Sequence, residues 1–400
     1  MLKLKENPIF IYPDFRNLFL ARVISAIGDK FFTLSLAWWV IDTGNKFGLS
    51  LVMAATFLPV VLFSPFMGAL SDRHNKKYLM LIADFLRALI LFILVLLLIK
   101  NMLSLWFLLL LVFLIYSFAP LFETSTASSI LPLTSEKHLA QATAVDSSSI
   151  GISNVIGAML GSVFIAWLGF KGSVIVNIFT YLVSFAFVFM INKNLKTLSE
   201  NNSDYLDDLK TGFLYIKNYK REILNLLLFF AVLNFFVSPI LILIPVIIKF
   251  ILIKDVKWLA ISESFFALGV LLASFLMSFK KDIKGNISLL IYTIFSFSLF
   301  FSFTALSKNP YLTSFFLLVC GFSISVGNVA VVSYFQYNIE NEYKGRFFSL
   351  VNTVVYAIMP ISFVVNGFMI DKFAPQTVIL LNSLFSFLIG LYGIIRFNKL

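Results

Sequence analysis

Cysteine is almost absent from this chain. Cys320 is the only one in 400 residues, which excludes an intrachain disulfide and any thiolate metal cluster. Histidine is nearly as scarce: His74 and His138 are the only two, and neither has a second ligand at metal spacing. The nucleotide-binding pattern GxxxxGK(S/T) is missing, as are HExxH and GxSxG. ATP hydrolysis by this chain alone is therefore not expected, and no metal or other cofactor is implied. Charged residues make up 13 % of the chain against 60 % hydrophobic, so no soluble core could hide the apolar surface. The start carries charge before its first apolar run and lacks a small-residue cleavage site, so no cleaved signal is read. The net charge of +11 is not a nucleic-acid footprint, because the bases sit mostly in short links between apolar runs.

What is present is a series of twelve apolar segments of spanning length, at 17–41, 48–70, 78–99, 102–124, 142–168, 172–192, 223–248, 258–279, 286–305, 310–334, 347–370 and 376–395. Each is near the roughly 20 residues needed to cross about 30 Å of hydrocarbon as helix. The expected fold class is an all-α integral membrane protein with twelve transmembrane helices in two pseudo-symmetric six-helix bundles. The N-terminal bundle covers 1–192 and the C-terminal bundle 223–400, joined by a polar link at 193–222. Within that link, Leu206, Leu209, Phe213 and Ile216 give the stripe of a short surface helix. Weak echoes support the pairing of halves: Lys76-Lys77 with Lys280-Lys281, and Glu136, Lys137 and Gly161 with Glu342, Lys344 and Gly367.

An even number of spans leaves both termini on one side. Bases outside the spans concentrate on the side of Lys76, Lys220, Lys344 and Arg346, which places that side in the cytoplasm. Trp38, Trp39, Trp106, Trp167 and Trp258 fall near span ends on the opposite side, where an amphipathic ring suits the headgroup level.

Charge inside the spans is rare and hence informative, since an acid in hydrocarbon must face protein or water. Asp29 lies about 18 Å into the first span at 1.5 Å per residue, beside Gly28 and on the helical face of Arg22. Asp29 and Arg22 are candidates for substrate or proton coupling, against the simpler reading of a static ion pair. Glu263 is a third candidate, but its place near the outer end of the eighth span favours a solvated side chain. Asp84 and Arg87 share one face of the third span. With Asp72 and Arg73 of the short link they can form a charge network that gates the two open states, joined by Glu123 and Asp146. Gly68, Lys76, Lys77 and Arg346 complete the gating candidates. Gly157 and Gly161 in the fifth span, with Gly28, are read as helix-packing positions. The intramembrane acids are scattered and no histidine lies within a span, so no enzyme is expected.

The link Gly68-Ala69-Leu70-Ser71-Asp72-Arg73-His74-Asn75-Lys76-Lys77 resembles the signature of the major facilitator superfamily between its second and third spans. Asp84 and Arg87 resemble its continuation, and Tyr343-Lys344-Gly345-Arg346-Phe347 resembles the signature entering the eleventh span. The stretch 15–40, centred on Gly28-Asp29, is similar to the first span of the bacterial macrolide-efflux and siderophore-exporter-like branch. The resemblance implies a multi-pass bacterial cell-membrane transporter working by alternating access, with export of a small amphiphilic, macrolide-like compound driven by proton antiport. Export of an endogenous metabolite or siderophore, or nutrient uptake by the same fold, is the alternative. The implied partners are the small-molecule substrate and membrane lipid, with a monomer as the working unit and a proton gradient in place of a cofactor. The chain departs from the antiporter pattern in two places: no Arg occurs in the fourth span, and Ala158 and Ser162 stand where a Pro and a Gly are expected.

Overall fold

The structure is a computed structural model that describes residues 7–196, 214, 221–279, 287–340 and 343–397. Helix is the only regular structure among them, as hydrocarbon requires of a chain whose backbone groups must satisfy one another. A short α1 (Pro8–Ile11) precedes α2 (Pro13–Asp42), α3 (Lys46–Arg73), α4 (Lys76–Ile99), α5 (Leu105–Ser117), α6 (Ala119–Leu133) and α7 (Glu136–Phe189). Then follow α8 (Arg221–Val237), α9 (Ile240–Val246), a π turn (Ile247–Ile251), α10 (Val256–Ser278), α11 (Ile287–Leu306), α12 (Pro310–Asn338), α13 (Lys344–Lys372) and α14 (Pro375–Phe397). Polar side chains set several starts: Asn75 accepts from the Lys77 amide at 3.0 Å and Asn309 from the Tyr311 amide at 2.9 Å.

Among the described residues, eleven helices are long and apolar enough to cross a membrane. The fifth and sixth sequence segments lie in one helix, α7, which bends at Gly169. The φ of 63° there is one that glycine adopts without strain, and it divides α7 into two helices, of which the stretch Trp167–Phe189 is among the eleven. The fourth and seventh spans are interrupted too. Phe118 separates α5 from α6 just before Pro120, and Pro239 separates α8 from α9. The fold class read from the hydropathy pattern is the one observed.

The chain divides into two compact units, Met1–Trp39 with Ala55–Asn202, and Val40–Ala54 with Ser203–Leu400. In the first, Phe15, Leu18, Met80, Leu121, Phe122 and Val188 form a buried core. In the second, Leu226, Phe229, Leu290, Phe335 and Phe347 do so. Within the second unit α10 and α12 touch backbone to backbone: a Cβ at Gly269 would strike the Leu318 carbonyl, and one at Gly321 the Phe266 carbonyl. The sequence reading located small-residue packing in the fifth span and overlooked this pair. Most of the polar link, its surface helix, Lys280-Lys281 and Glu342 lie outside the described residues.

Candidate functional site

The first unit holds a charged cluster in its interior, built from α2, α4 and α7. Gly28 makes it possible. A Cβ at that position would collide with the side chains of Thr180 and Asn177 on α7, so glycine lets the two helices approach. The adjacent Asp29 is thereby brought to Tyr181, whose hydroxyl donates a hydrogen bond to Asp29 Oδ1. One turn along α7, Ser184 Oγ donates to Asp84 Oδ2 at 2.6 Å. Arg87 stands between the two acids, with Nη2 2.7 Å from Asp84 Oδ1 and Nη1 3.5 Å from Asp29 Oδ2. Its guanidinium lies over the rings of Tyr181, at 4.4 Å, and Phe122, at 5.2 Å. The Arg87 side chain is 3 % exposed and that of Asp84 0 %, whereas that of Asp29 is 32 % exposed.

A hydroxyl pair extends the cluster. Thr33 Oγ1 donates to the Asp29 carbonyl at 2.8 Å, so the Tyr116 hydroxyl, 2.7 Å away, donates into the Thr33 oxygen. Asp29 is thus held at its backbone and at both carboxylate oxygens. Asp84 is enclosed, and each of its oxygens accepts from a different donor.

The structure redistributes the partners expected from sequence. Arg22 does not pair with Asp29, although helical period puts both on one face. Its Nη2 lies 2.7 Å from Glu123 Oε2 and its Nε 3.0 Å from Asp146 Oδ1, because α6 and α7 bring acids closer than the next turns of α2 do. Glu123 and Asp146 therefore belong to this second cluster rather than to the Asp84–Arg87 pair. Asp72 and Arg73 do not join that pair either: both are exposed at the end of α3, while Asp84 and Arg87 point inward along α4. Lys76 is buried, and Lys77 donates to the Ile191 carbonyl at 2.7 Å. A Cβ at Gly68 would meet nothing within 4 Å. Glu263, expected to be solvated, is 4 % exposed, because α10 turns it inward against neighbouring helices. Arg346 is half-buried at the start of α13.

Gly157 and Gly161 face α2, where added Cβ atoms would come within 2.9 Å of the Ile27 carbonyl and 3.1 Å of Leu34. Cys320 is buried in α12, and His138 lies 3.0 Å from the Tyr12 hydroxyl. No group of metal-ligating side chains occurs among the described residues. Sequence reasoning missed Tyr181, Ser184, Tyr116 and Thr33. Hydroxyls and tyrosines are common in apolar spans, and only contact with Asp29 or Asp84, made by Tyr116 through Thr33, distinguishes these four.

Two helical units, one of them enclosing a charged cluster at membrane depth, define a membrane transport protein. The chain belongs to the Major Facilitator Superfamily, whose family model matches residues 18–363. It is a secondary transporter of small molecules and not an enzyme. It is 24 % identical to the MFS-type transporter YvqJ of Bacillus subtilis (strain 168), over 100 % of this chain and 96 % of that one. It is 25 % identical to macrolide efflux protein A of Streptococcus pyogenes, over 90 % of this chain and 89 % of the relative. Among solved structures, the nucleoside transporter NupG superimposes with a TM-score of 0.77 at 15 % identity, covering 96 % of this chain and 99 % of that one. A POT family transporter, PepTSo, gives 0.76 at 10 % identity, covering 97 % and 98 %.

Proposed function

We propose that this protein moves a small organic molecule across a bacterial cell membrane by alternating access, and that Asp29 exchanges the coupling proton. The charge count around Arg87 carries this reading. Two carboxylates share one guanidinium, so with both ionised the cluster holds one excess negative charge where charge is costly. One proton on Asp29 leaves a neutral Asp84–Arg87 pair. Asp84 is the poorer acceptor because it is enclosed and its two oxygens hold close donors, at 2.7 and 2.6 Å. Asp29 is partly accessible and only loosely held by Arg87. A proton on its Oδ2 releases Arg87, while Tyr181 keeps hold of Oδ1. One contact between α2 and α4 is lost in that step, and this gives protonation a way to shift helix packing. In this proposal Gly68, Asp72, Arg73, Lys76, Lys77 and Arg346 act in gating, and the Arg22–Glu123–Asp146 cluster ties α2, α6 and α7 during the cycle. Both termini are placed in the cytoplasm, and a monomer is the working unit.

For the cargo, the broader reading is a metabolite, siderophore or nutrient. The nucleoside and peptide transporters that share the fold lend it support, because one scaffold serves many cargos. The narrower reading, export of a macrolide-like amphiphile, is supported by the relatives named macrolide efflux protein A. Proteoliposomes under an imposed pH gradient, loaded in turn with a radiolabelled macrolide, a nucleoside and a dipeptide, separate these readings and give the direction of movement. With whichever compound moves, Asp29→Asn is expected to lower gradient-driven transport at least about tenfold and to leave substrate exchange intact. Unchanged substrate-linked proton flux in that variant would refute the coupling role.

A further inference from the structure

At the start of α4 the first unit carries a concavity of about 650 Å³ that the transport reading does not use. Every described lining residue is a hydrogen-bond donor. Arg73, His74, Lys77, Tyr78, Lys193 and Lys196 are joined by three asparagines, and among the described residues no carboxylate lines it. The walls are built rather than incidental. After α7 ends, the chain at 191–196 turns back across α4. The Lys76 amide donates to the Leu195 carbonyl at 3.5 Å, and Asn75 Nδ2 to Asn194 Oδ1 at 3.0 Å. Lys77 Nζ donates to the Ile191 carbonyl at 2.7 Å and keeps two more hydrogens to offer. Among the described residues, Asp14 is engaged by the backbone amides of Asn192 and Lys193, and Asp72 lies outside the lining.

Four cations with this density of donors, one of them anchored through Lys77, match a phosphate group. The surroundings identify its source. Tyr78, Phe189 and Met190 beside the concavity are exposed large apolar side chains, and the Lys77 ammonium lies 5.3 Å over the Phe189 ring. Phosphate-matching donors next to an apolar face suit a molecule with a charged head and greasy tails. We propose that this concavity binds the headgroup of one anionic phospholipid, with Arg73, Lys77, Lys193 and Lys196 on the phosphate and the acyl chains along Tyr78 and Phe189. The lipid docks at the Asp72–Lys77 link, so leaflet composition acts directly on the segment proposed to gate.

Native mass spectrometry of the delipidated full chain in detergent, titrated with phosphatidylglycerol or phosphatidylcholine, tests this site. One phosphatidylglycerol is expected to bind at least about tenfold more tightly than phosphatidylcholine. The exposed double variant K193Q/K196Q should lose that preference while keeping its melting temperature. Equal binding of the two lipids, or unchanged phosphatidylglycerol binding in the double variant, would overturn the proposal. Millimolar inorganic phosphate that displaces the bound lipid would also overturn it, since the site would then be one for free phosphate.

Discussion

The two units solve the problem of polar groups in a membrane differently. The first buries ions: Asp84 and Arg87 are paired at 2.7 Å with Asp29 beside them. The second buries mostly neutral amides and hydroxyls. On α13 and α14, Asn382 Nδ2 donates to Asn366 Oδ1 at 2.6 Å and also to the Val378 carbonyl at 2.8 Å, and Asn366 in turn donates to the Ser362 carbonyl at 3.0 Å. Ser262 meets Ser314 at 3.0 Å, and Ser323 meets Ser296 at 2.9 Å. Among the described residues Glu263 is the exception, seven residues into α10. A neutral amide pair holds its geometry whatever the pH, whereas a carboxylate cluster with an odd charge changes with one proton. In the proposed mechanism the first unit is therefore the one that responds to a proton, while the amide pair of α13 and α14 keeps its contacts.

Removing the shared cation attacks that contrast most directly. Arg87→Ala strands Asp84 without a counter-ion in a fully enclosed site, and is expected to destabilise the folded state by about 3–5 kcal/mol, read as a large fall in melting temperature in detergent. Arg87→Lys keeps the charge but cannot fork between two carboxylates, so it should retain more of the fold than the alanine variant.

In the second unit the largest effect should come from packing rather than charge. Gly321→Ala drives a Cβ into the Phe266 carbonyl, which must shift as backbone, and overpacking of this kind is worth about 1–3 kcal/mol. Gly68→Ala is the matched control, because its Cβ meets open space and its melting temperature should stay near that of the parent.

Asn382→Ala removes one interhelical amide bond. Such bonds in membranes average about 0.6 kcal/mol, so a small stability loss with no change in the pH dependence of transport is expected. A clear pH effect would break the contrast between the units.

The smallest effect is expected at the Lys249–Asp42 ion pair beside the π turn of the second unit, whose side chains are 32 % and 55 % exposed. Lys249→Gln should cost under about 1 kcal/mol, measured by chemical unfolding in mild detergent.

How far these features could be read in advance depends on the range of the interaction. Asp84 and Arg87 are three residues apart, so helical period alone pairs them, and the structure agrees. Arg22 and Asp29 also share a face, yet acids on α6 and α7 take Arg22 and α4 supplies the cation for Asp29. Period describes one helix and says nothing about which helix packs against it. Gly28, Gly157 and Gly161 were legible as contact positions because small residues in spans have few other uses, but their partners on α7 and α2 were not.

From its amino acids alone, this protein was bound to be a membrane-spanning helical chain with a few expensive charges at depth. Long apolar runs admit no other backbone solution in hydrocarbon, and each buried ion is conspicuous against them. Only the packed structure decided that Arg87 is shared by Asp29 and Asp84, that Tyr181 and Ser184 each hold one of those acids, and that Glu263 is enclosed. Such partnerships are contacts between helices far apart in sequence, settled by which faces meet at close range.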